Sequence, residues 1–205
     1  MTDTVQDTTP TVVLIGPPST GKTTIAPILA KRLGLEHVSL DDLRWAYYDE
    51  IGFDHEHVAT IAQKGGFKAV YQYSKPFELH ALERVLEDHK GKVIELGGGH
   101  SVYEDEALLE RARLALFPVS YVVLLMPSSD LDESCRVLRA RTIQKAPSEG
   151  WEPSESDLKL FDHLARHPSN RFLAKQVVYT LGQRPMKWYV NLHTQLRIHD
   201  AQNLD

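Results

Sequence analysis

The stretch that decides the fold is Gly16-Pro17-Pro18-Ser19-Thr20-Gly21-Lys22-Thr23, which matches the pattern G-x-x-x-x-G-K-[ST] at every fixed position. The residues before it, 11–15, form an apolar and β-branched run that predicts a buried parallel strand. The residues after it, 24–33, carry apolar side chains at helical spacing and are followed by Gly34. A strand, a glycine-containing loop and a helix are the context in which this pattern binds phosphate.

The residue types in this loop (residues 16–23, the P-loop) suit a nucleotide. Gly16 and Gly21 let backbone N–H groups converge on an anion, and the helix that starts near Lys22 adds its positive N-terminal end. We expect Lys22 to reach the β- and γ-phosphates of ATP, and the Thr23 hydroxyl to bind Mg²⁺. The alternative is a plain Gly/Pro turn between a strand and a helix. The strand and the helix on either side both match the context of the motif, which favours nucleotide binding. The residues assigned to nucleotide binding are Gly16, Pro17, Pro18, Ser19, Thr20, Gly21, Lys22, Thr23 and Thr24.

Length and composition predict one α/β domain. The chain has 205 residues, of which 42% are hydrophobic, and we expect a disordered tail over residues 1–10 and a single domain over 11–205. A net charge of −5 argues against binding to extended nucleic acid. The single cysteine, Cys135, has no partner for an intramolecular disulfide, and the longest apolar run, near 121–126, has the length of a strand. These features predict a cytoplasmic monomer or homodimer that does not span a membrane.

Carboxylates follow the second predicted strand. Residues 36–40 read as a short strand, and Asp41 and Asp42 open the next helix. In a parallel sheet the carboxyl ends of the strands bind ligands, so Asp41 is expected near the P-loop as a catalytic and acceptor-binding residue. Ser39 or Asp42 would hold Mg²⁺ through water. The alternative for Asp41 is a helix N-cap without a role in catalysis.

A helical insertion over about residues 42–90 follows this strand, and it is rich in aromatic residues. The pattern is interrupted at Gly52, at Gly65-Gly66 and at Pro76. We expect this insertion to bind the phosphate acceptor, although most of its rings would serve the core.

The third predicted strand, 92–96, ends in the glycine loop formed by Gly97, Gly98 and Gly99. Three consecutive glycines are costly for folding, which indicates a close approach to the backbone or a turn that needs positive φ. Glu95 precedes them, and both a catalytic and a structural role are open for it.

A lid is predicted over about residues 139–157. Arg139 and Arg141 lie near the end of a predicted helix, and periodicity is lost from Thr142 onward. An arginine-flanked segment of this kind suits a cover that closes over phosphates and excludes water. Arg139 and Arg141 are therefore the two candidates for a catalytic arginine. Arg184, in the loop after the last predicted strand, is a further candidate for nucleotide binding.

Taken together, five strands alternate with helices along the chain, which predicts a parallel sheet with helices on both faces. The sequence resembles the shikimate kinase family, within the P-loop small-molecule and nucleoside-monophosphate kinases. The resemblance rests on Ser39-Leu40-Asp41 in place of the family's D-x-D, Lys75-Pro76-Phe77-Glu78 in place of R-x-x-E, the glycine loop, and Arg166-His167-Pro168 in place of R-x-P. It implies a three-layer P-loop NTPase fold with a helical acceptor-binding insertion and a lid.

The resemblance also implies which residues bind the acceptor. The implied residues are Asp41, Lys75, Gly97, Gly98, Gly99 and Arg166. Two positions depart from the family pattern, because Ser39 replaces the metal-side aspartate and Lys75 replaces an arginine. A lysine cannot form the bidentate hydrogen bonds that an arginine makes to a carboxylate. These departures therefore predict a divergent member of the family with a different substrate.

The function expected from these features is that of an ATP- and Mg²⁺-dependent phosphotransferase that acts on a hydroxyl group of a small metabolite. A nucleoside, nucleotide or polynucleotide-end kinase is an alternative, because residues 39–44 are also similar to the acceptor-side strand end of polynucleotide-kinase-like enzymes. A nucleotide-dependent binding module with slow hydrolysis is a second alternative. Against it, the chain has no guanine-specifying N-K-x-D and no strand that ends in an Asp-Glu pair.

Overall fold

The computed structural model describes residues 9–182, so residues 1–8 and Arg184 lie outside the described part of the chain. Within that part a five-stranded sheet has the order β2-β3-β1-β4-β5, and every adjacent pair is parallel. This confirms the predicted fold class. The strands are β1 (Val12–Ile15), β2 (His37–Ser39), β3 (Val93–Glu95), β4 (Tyr121–Met126) and β5 (Gln176–Tyr179).

Helices cover both faces of the sheet. They are α1 (Lys22–Leu33), α2 (Leu40–Asp49), α3 (His55–Asp88), α4 (Glu106–Leu116), α5 (Leu131–Lys145), α6 (Glu155–Arg166) and α7 (Ser169–Leu173). Side chains alternate along β1, so that Val12 and Leu14 pack with α1, while Val13 and Ile15 pack with residues of α2, α3 and α4. Because both faces are buried, the strand is apolar throughout.

The sheet register brings the functional loops to one edge. Glu95 on β3 pairs with Leu14 on one side and with Ser39 on the other. The chain therefore leaves β1, β2 and β3 at the same level, and the P-loop, the start of α2 and the glycine loop all begin there.

The insertion after β2 consists of α2 and α3. Gly52 lies between these helices with φ of 80°, and Gly66 breaks α3 with φ of 60° and ψ of −160°. Pro76, where the sequence pattern predicted an interruption, lies inside the helix. The half of α3 before Gly66 is largely exposed, whereas Lys75, Leu79 and Leu82 in the second half are buried.

The segment predicted to be a lid is more helical than the sequence pattern indicated. Helix α5 continues to Lys145 and is followed by a 3₁₀ turn, Ala146–Glu149, before Gly150 adopts φ of 79°. Thr142 is thus helical and buried. No helix within residues 9–182 is long and apolar enough to cross a bilayer.

Candidate active site

The P-loop has the backbone geometry that its glycines allow. Gly16 has φ of 138°, and a Cβ atom there would lie 2.6 Å from the carbonyl oxygen of Leu125. Gly21 has φ of 97° and is the N-cap of α1. Both positions require glycine, because a side chain would meet strand β4 at one and strain the backbone at the other. The loop consequently places the first turn of α1, where free N–H groups point outward, at the sheet edge.

Lys22 lies across this loop. Its Nζ donates hydrogen bonds to the carbonyl oxygens of Gly16 at 2.7 Å and Pro17 at 3.0 Å. Burial lowers the pKa of Lys22 to about 8, against the opposing effect of the negative charges of Asp41 and Glu95. The ammonium group is therefore held inside the loop, close to two carboxylates that belong to different strand ends.

The end of α5 contacts the P-loop. The hydroxyl groups of Ser19 and Thr142 lie 2.8 Å apart, and Arg141 Nη1 donates to the carbonyl oxygen of Ser19 at 3.3 Å. Ser19 and Thr142 are 123 residues apart in the chain, so this contact joins the end of α5 to the P-loop.

A cavity of about 630 Å³ opens over the P-loop. Its lining residues are Ser19, Thr20, Gly21, Lys22, Thr23, Thr24, Ile25, Arg141, Gln144, Lys145 and Thr180. The cavity thus runs from the phosphate loop past Arg141 to the end of β5. Its volume is in the range of small-molecule and cofactor sites.

The two candidate lid arginines have different surroundings. Arg141 lines the cavity and reaches Ser19, as described above. Arg139 instead bonds Asp162 at 2.8 Å through Nε and Glu155 at 3.2 Å through Nη1. Arg139 therefore ties α5 to α6, and the structure brings only Arg141 of this pair to the phosphate loop.

The glycine loop packs between the P-loop and Asp41. A Cβ atom at Gly97 would lie 2.6 Å from Asp41 Oδ1 and 2.5 Å from His100 Nδ1. A Cβ atom at Gly98 would lie 2.6 Å from Pro18 Cγ and 2.7 Å from Pro18 N. The three glycines are therefore explained by close approach, and not by positive φ, since none of them has it.

His100 is a site neighbour that the sequence reasoning did not assign. It is buried next to Gly97, and its Nε2 lies 3.4 Å from the hydroxyl of Tyr48. Burial lowers the pKa of His100, so the imidazole is neutral near pH 7. The position of His100 directly after the glycine loop is the sequence feature that could have identified it.

The polar residues after β2 and β3 lie at the same edge. Ser39 is the N-cap of α2, and Asp41 and Asp42 are exposed in its first turn, so Asp41 is not the N-cap. Asp41 Oδ1 accepts a hydrogen bond from Arg44 at 3.0 Å. Glu95 is buried, and among the described residues its Oε2 has no hydrogen-bond partner.

Lys75 contacts the other end of the glycine loop. Its Nζ donates to Gly99 O at 2.8 Å and to Glu78 Oε2 at 2.5 Å, and it lies 3.8 Å from the ring centroid of Tyr71. Burial lowers the pKa of Lys75. Arg166, by contrast, is exposed at the end of α6 and bonds Asp132 on α5, so the structure does not bring it to this loop.

The comparisons with known proteins agree with this geometry. The shikimate kinase family profile matches residues 18–185. The chain belongs to the shikimate kinase family. A curated shikimate kinase from Saccharopolyspora erythraea is 34% identical over 176 residues, which cover 86% of this chain and 87% of the relative.

Solved structures share the fold of this shikimate kinase family member. A shikimate kinase from Acinetobacter baumannii in complex with shikimate superposes with a TM-score of 0.64 at 22% identity, covering 94% of this chain and 95% of the other. A gluconokinase from Sinorhizobium meliloti superposes with a TM-score of 0.52 at 12% identity, covering 93% and 97%. The chain is therefore an ATP-dependent kinase of small molecules, built on the shikimate kinase fold.

Proposed function

We propose that this kinase transfers the γ-phosphoryl group of ATP to a hydroxyl group of a small metabolite. The transfer would take place where the P-loop, Asp41 and the glycine loop meet. One observation carries the proposal: these three elements are in contact, with Pro18 and Asp41 close enough to exclude a Cβ atom from Gly98 and Gly97. A phosphate on the P-loop would lie next to any group bound at Asp41. The shikimate bound to the A. baumannii relative supports a small hydroxylated acceptor.

Phosphoryl transfer depends on positioning and on neutralising charge. In this proposal the P-loop backbone N–H groups and the Lys22 ammonium hold the β- and γ-phosphates. Arg141 faces the same cavity and adds positive charge on the lid side. Asp41 orients the acceptor hydroxyl and accepts its proton as the oxygen bonds to phosphorus.

The oxygen donors at this edge fit Mg²⁺, which would neutralise charge on the phosphate oxygens when bound. The Thr23 hydroxyl is exposed at the cavity wall and would bind the ion directly. Ser39 or Asp42 would bind it through water. Glu95 Oε2, which lies 3.6 Å from His37 Nε2 and whose charge acts on Lys22, is an additional donor of the same type, since Glu95 pairs with Ser39 in the sheet.

The location we propose is the cytoplasm. Cys135 is a buried free thiol, and it is the single cysteine of the chain. A chain without disulfides is compatible with a reducing compartment.

The decisive experiment is the replacement of Lys22 by alanine. ADP release from Mg-ATP would be followed across a panel of hydroxylated acids, polyols and nucleosides. Lys22→Ala should lower kcat/KM by at least about a hundredfold, because a cation that contacts the transferred phosphate is lost. Lys31→Ala, an exposed lysine in the last turn of the same helix, is the matched control. Full acceptor-stimulated activity of Lys22→Ala would refute the proposal.

A further inference from the structure

His100 is a buried polar residue that the proposed mechanism leaves without a role. It is 3% exposed and directly follows the glycine loop. Its backbone N–H donates to the carbonyl oxygen of Gly97 at 3.2 Å, which closes a turn after β3. The turn brings the imidazole back to Gly97, where a Cβ atom would lie 2.5 Å from Nδ1 of His100. The ring is therefore held at the sheet edge where the P-loop and Asp41 also lie.

The two ring nitrogens of His100 have different surroundings. Nε2 lies 3.4 Å from the hydroxyl of Tyr48, which has no other hydrogen-bond partner within residues 9–182. Burial raises the pKa of Tyr48, so the hydroxyl keeps its proton and can donate a hydrogen bond to Nε2. A neutral imidazole that accepts at Nε2 carries its own proton on Nδ1. Nδ1 is buried, and within the same residues it has no partner.

Asp41 presents an oxygen close to this unpaired nitrogen. A Cβ atom at Gly97 would also lie 2.6 Å from Asp41 Oδ1, so Oδ1 and Nδ1 of His100 both lie within 2.6 Å of one point. Oδ1 bonds Arg44 at 3.0 Å, and the Asp41 side chain is 51% exposed. An exposed ion pair contributes little to stability, so it does not fix the carboxylate. Asp41 can therefore exchange Arg44 for His100 by a small rotation of its side chain.

Burial also decides the charge of His100. The charged or titratable groups around the ring are Asp41, Arg44 and Tyr48 on α2, and Lys75 and Glu78 on α3. Burial has the largest effect and lowers the pKa of His100, while the carboxylates of Glu78 and Asp41 oppose it. The neutral ring thus offers Asp41 a hydrogen bond in place of an ion pair. A buried N–H without a partner is costly, which favours this pairing.

We infer that His100 is a positioning residue for Asp41, whose carboxylate accepts a hydrogen bond from Nδ1–H while the phosphate acceptor is bound. This inference rests on the proposed function. The bond occupies one carboxylate oxygen and directs the other at the acceptor hydroxyl. As the acceptor oxygen bonds to the γ-phosphorus and the bond to ADP breaks, the hydroxyl proton passes to Asp41, and the Nδ1 proton stays on the ring. His100 therefore contributes orientation, on which the rate of transfer depends.

His89 provides a matched control. Its Nε2 lies 3.4 Å from the hydroxyl of Tyr47, and its Nδ1 is likewise buried without a partner among the described residues. His89 follows α3 and precedes β3, so it lies at the end of this strand opposite the glycine loop. An unpaired Nδ1 is thus not sufficient for the role, and His100 differs by the approach of Asp41. His89→Leu should leave kcat unchanged.

Three replacements of His100 separate its two nitrogens. The amide of asparagine reaches about as far as Nδ1, the amide of glutamine reaches about as far as Nε2, and leucine has no donor. With an acceptor that stimulates ADP release from Mg-ATP, His100→Gln and His100→Leu should lower kcat at least about tenfold, because Asp41 loses its orienting bond. His100→Asn should stay within about threefold of wild type, because it keeps an N–H donor at the place of Nδ1.

Two further measurements exclude a merely structural effect. KM for ATP should change less than about twofold in all three variants, since the lost bond concerns the acceptor side. Values of kcat are expressed per site that binds a fluorescent ATP analogue, so unfolded protein does not contribute. Long-range ¹⁵N–¹H correlation spectra of the wild-type protein with ADP and Mg²⁺, assigned with His100→Asn, should show a neutral His100 ring with its proton on Nδ1.

Several results would overturn the inference: wild-type kcat in His100→Leu, equal losses in His100→Asn and His100→Leu, an equal loss in His89→Leu, or a ring proton on Nε2. The proposed function fails separately. If Lys22→Ala kept full acceptor-stimulated activity, the kinase assignment of this site would be refuted, together with the inference. If Lys22→Ala lost activity and the His100 variants did not, only the inference would be refuted.

Discussion

Replacement of Gly98 by alanine should disrupt the phosphate site although the change is a single methyl group. The added Cβ would lie 2.6 Å from Pro18 Cγ and 2.7 Å from both Cδ and the backbone nitrogen of Pro18, whereas ordinary contacts begin near 3.4 Å. The proline ring is rigid and its nitrogen belongs to the P-loop backbone, so the two loops must separate by roughly 0.8 Å, close to the 1 Å displacement that costs about a hundredfold in rate. A hundredfold loss corresponds to about 2.7 kcal/mol of transition-state stabilisation.

The assay compares Gly98→Ala with Gly99→Ala. The neighbouring variant would place its Cβ 3.4 Å from Tyr71 Cε2 and 3.6 Å from Lys75 Nζ, and neither glycine has positive φ. Its expected loss of nucleotide affinity is below about threefold, because contacts at ordinary van der Waals distance need no displacement. The measurements are kcat/KM for ATP, binding of a fluorescent ATP analogue, and the thermal unfolding midpoint as a check of folding.

Two results would refute this reasoning. Wild-type ATP affinity and turnover in Gly98→Ala would mean that the P-loop and the glycine loop tolerate separation. Equal losses in the two alanine variants would mean that the effect comes from the loss of glycine flexibility, and not from the contact with Pro18.

Two further predictions concern charge at the phosphates. Because burial lowers the pKa of Lys22 to about 8, raising the pH through 8 removes its proton, and kcat/KM for ATP should fall about tenfold per pH unit above that value. Lys22→Arg, whose guanidinium stays charged, should lose this fall, and a flat wild-type profile from pH 7 to about 9.5 would contradict the prediction. Arg141→Ala should lower kcat by about 10²–10³-fold, since Arg141 lines the cavity over the P-loop where we propose that the phosphates bind. Arg139→Ala, which breaks bonds between α5 and α6, should lower the unfolding midpoint more than kcat, and the opposite ranking of kcat losses would contradict this assignment.

Much of the fold was predictable because its signals are local. The P-loop is one contiguous motif, and the apolar runs around it have the lengths of single strands and helices. The parallel order of the sheet then follows from the alternation of strands and helices. For this reason the approach of Asp41 and the glycine loop to the P-loop could be predicted before any distance was known.

The extent of α5 was not predictable in the same way. The sequence loses its periodic pattern at Thr142, but the structure keeps the helix to Lys145. Thr142 is buried because its hydroxyl meets that of Ser19 in the P-loop. A contact between residues 123 positions apart leaves no periodic signal in the helix itself.

The contacts of the arginines could not be predicted from the sequence either. Arg139 and Arg141 are two residues apart, so they point to different sides of α5. Which side of α5 faces the P-loop depends on how the helix packs against α6 and the loop. In the structure Arg139 donates a hydrogen bond to Asp162, and Arg141 donates one to the carbonyl oxygen of Ser19. It likewise pairs Arg166 with Asp132, which the short R-x-P resemblance could not indicate.

The sequence by itself determined the position of the P-loop and predicted an acceptor site beside it, because both follow from contiguous motifs at strand ends. Only the tertiary structure decided which charges remain available to a ligand. Lys75 and Glu78 are three residues apart on one helix, but the carbonyl of Gly99 comes from a distant strand end and completes their burial. A buried charge is governed by everything packed around it, and that packing exists only in the folded chain.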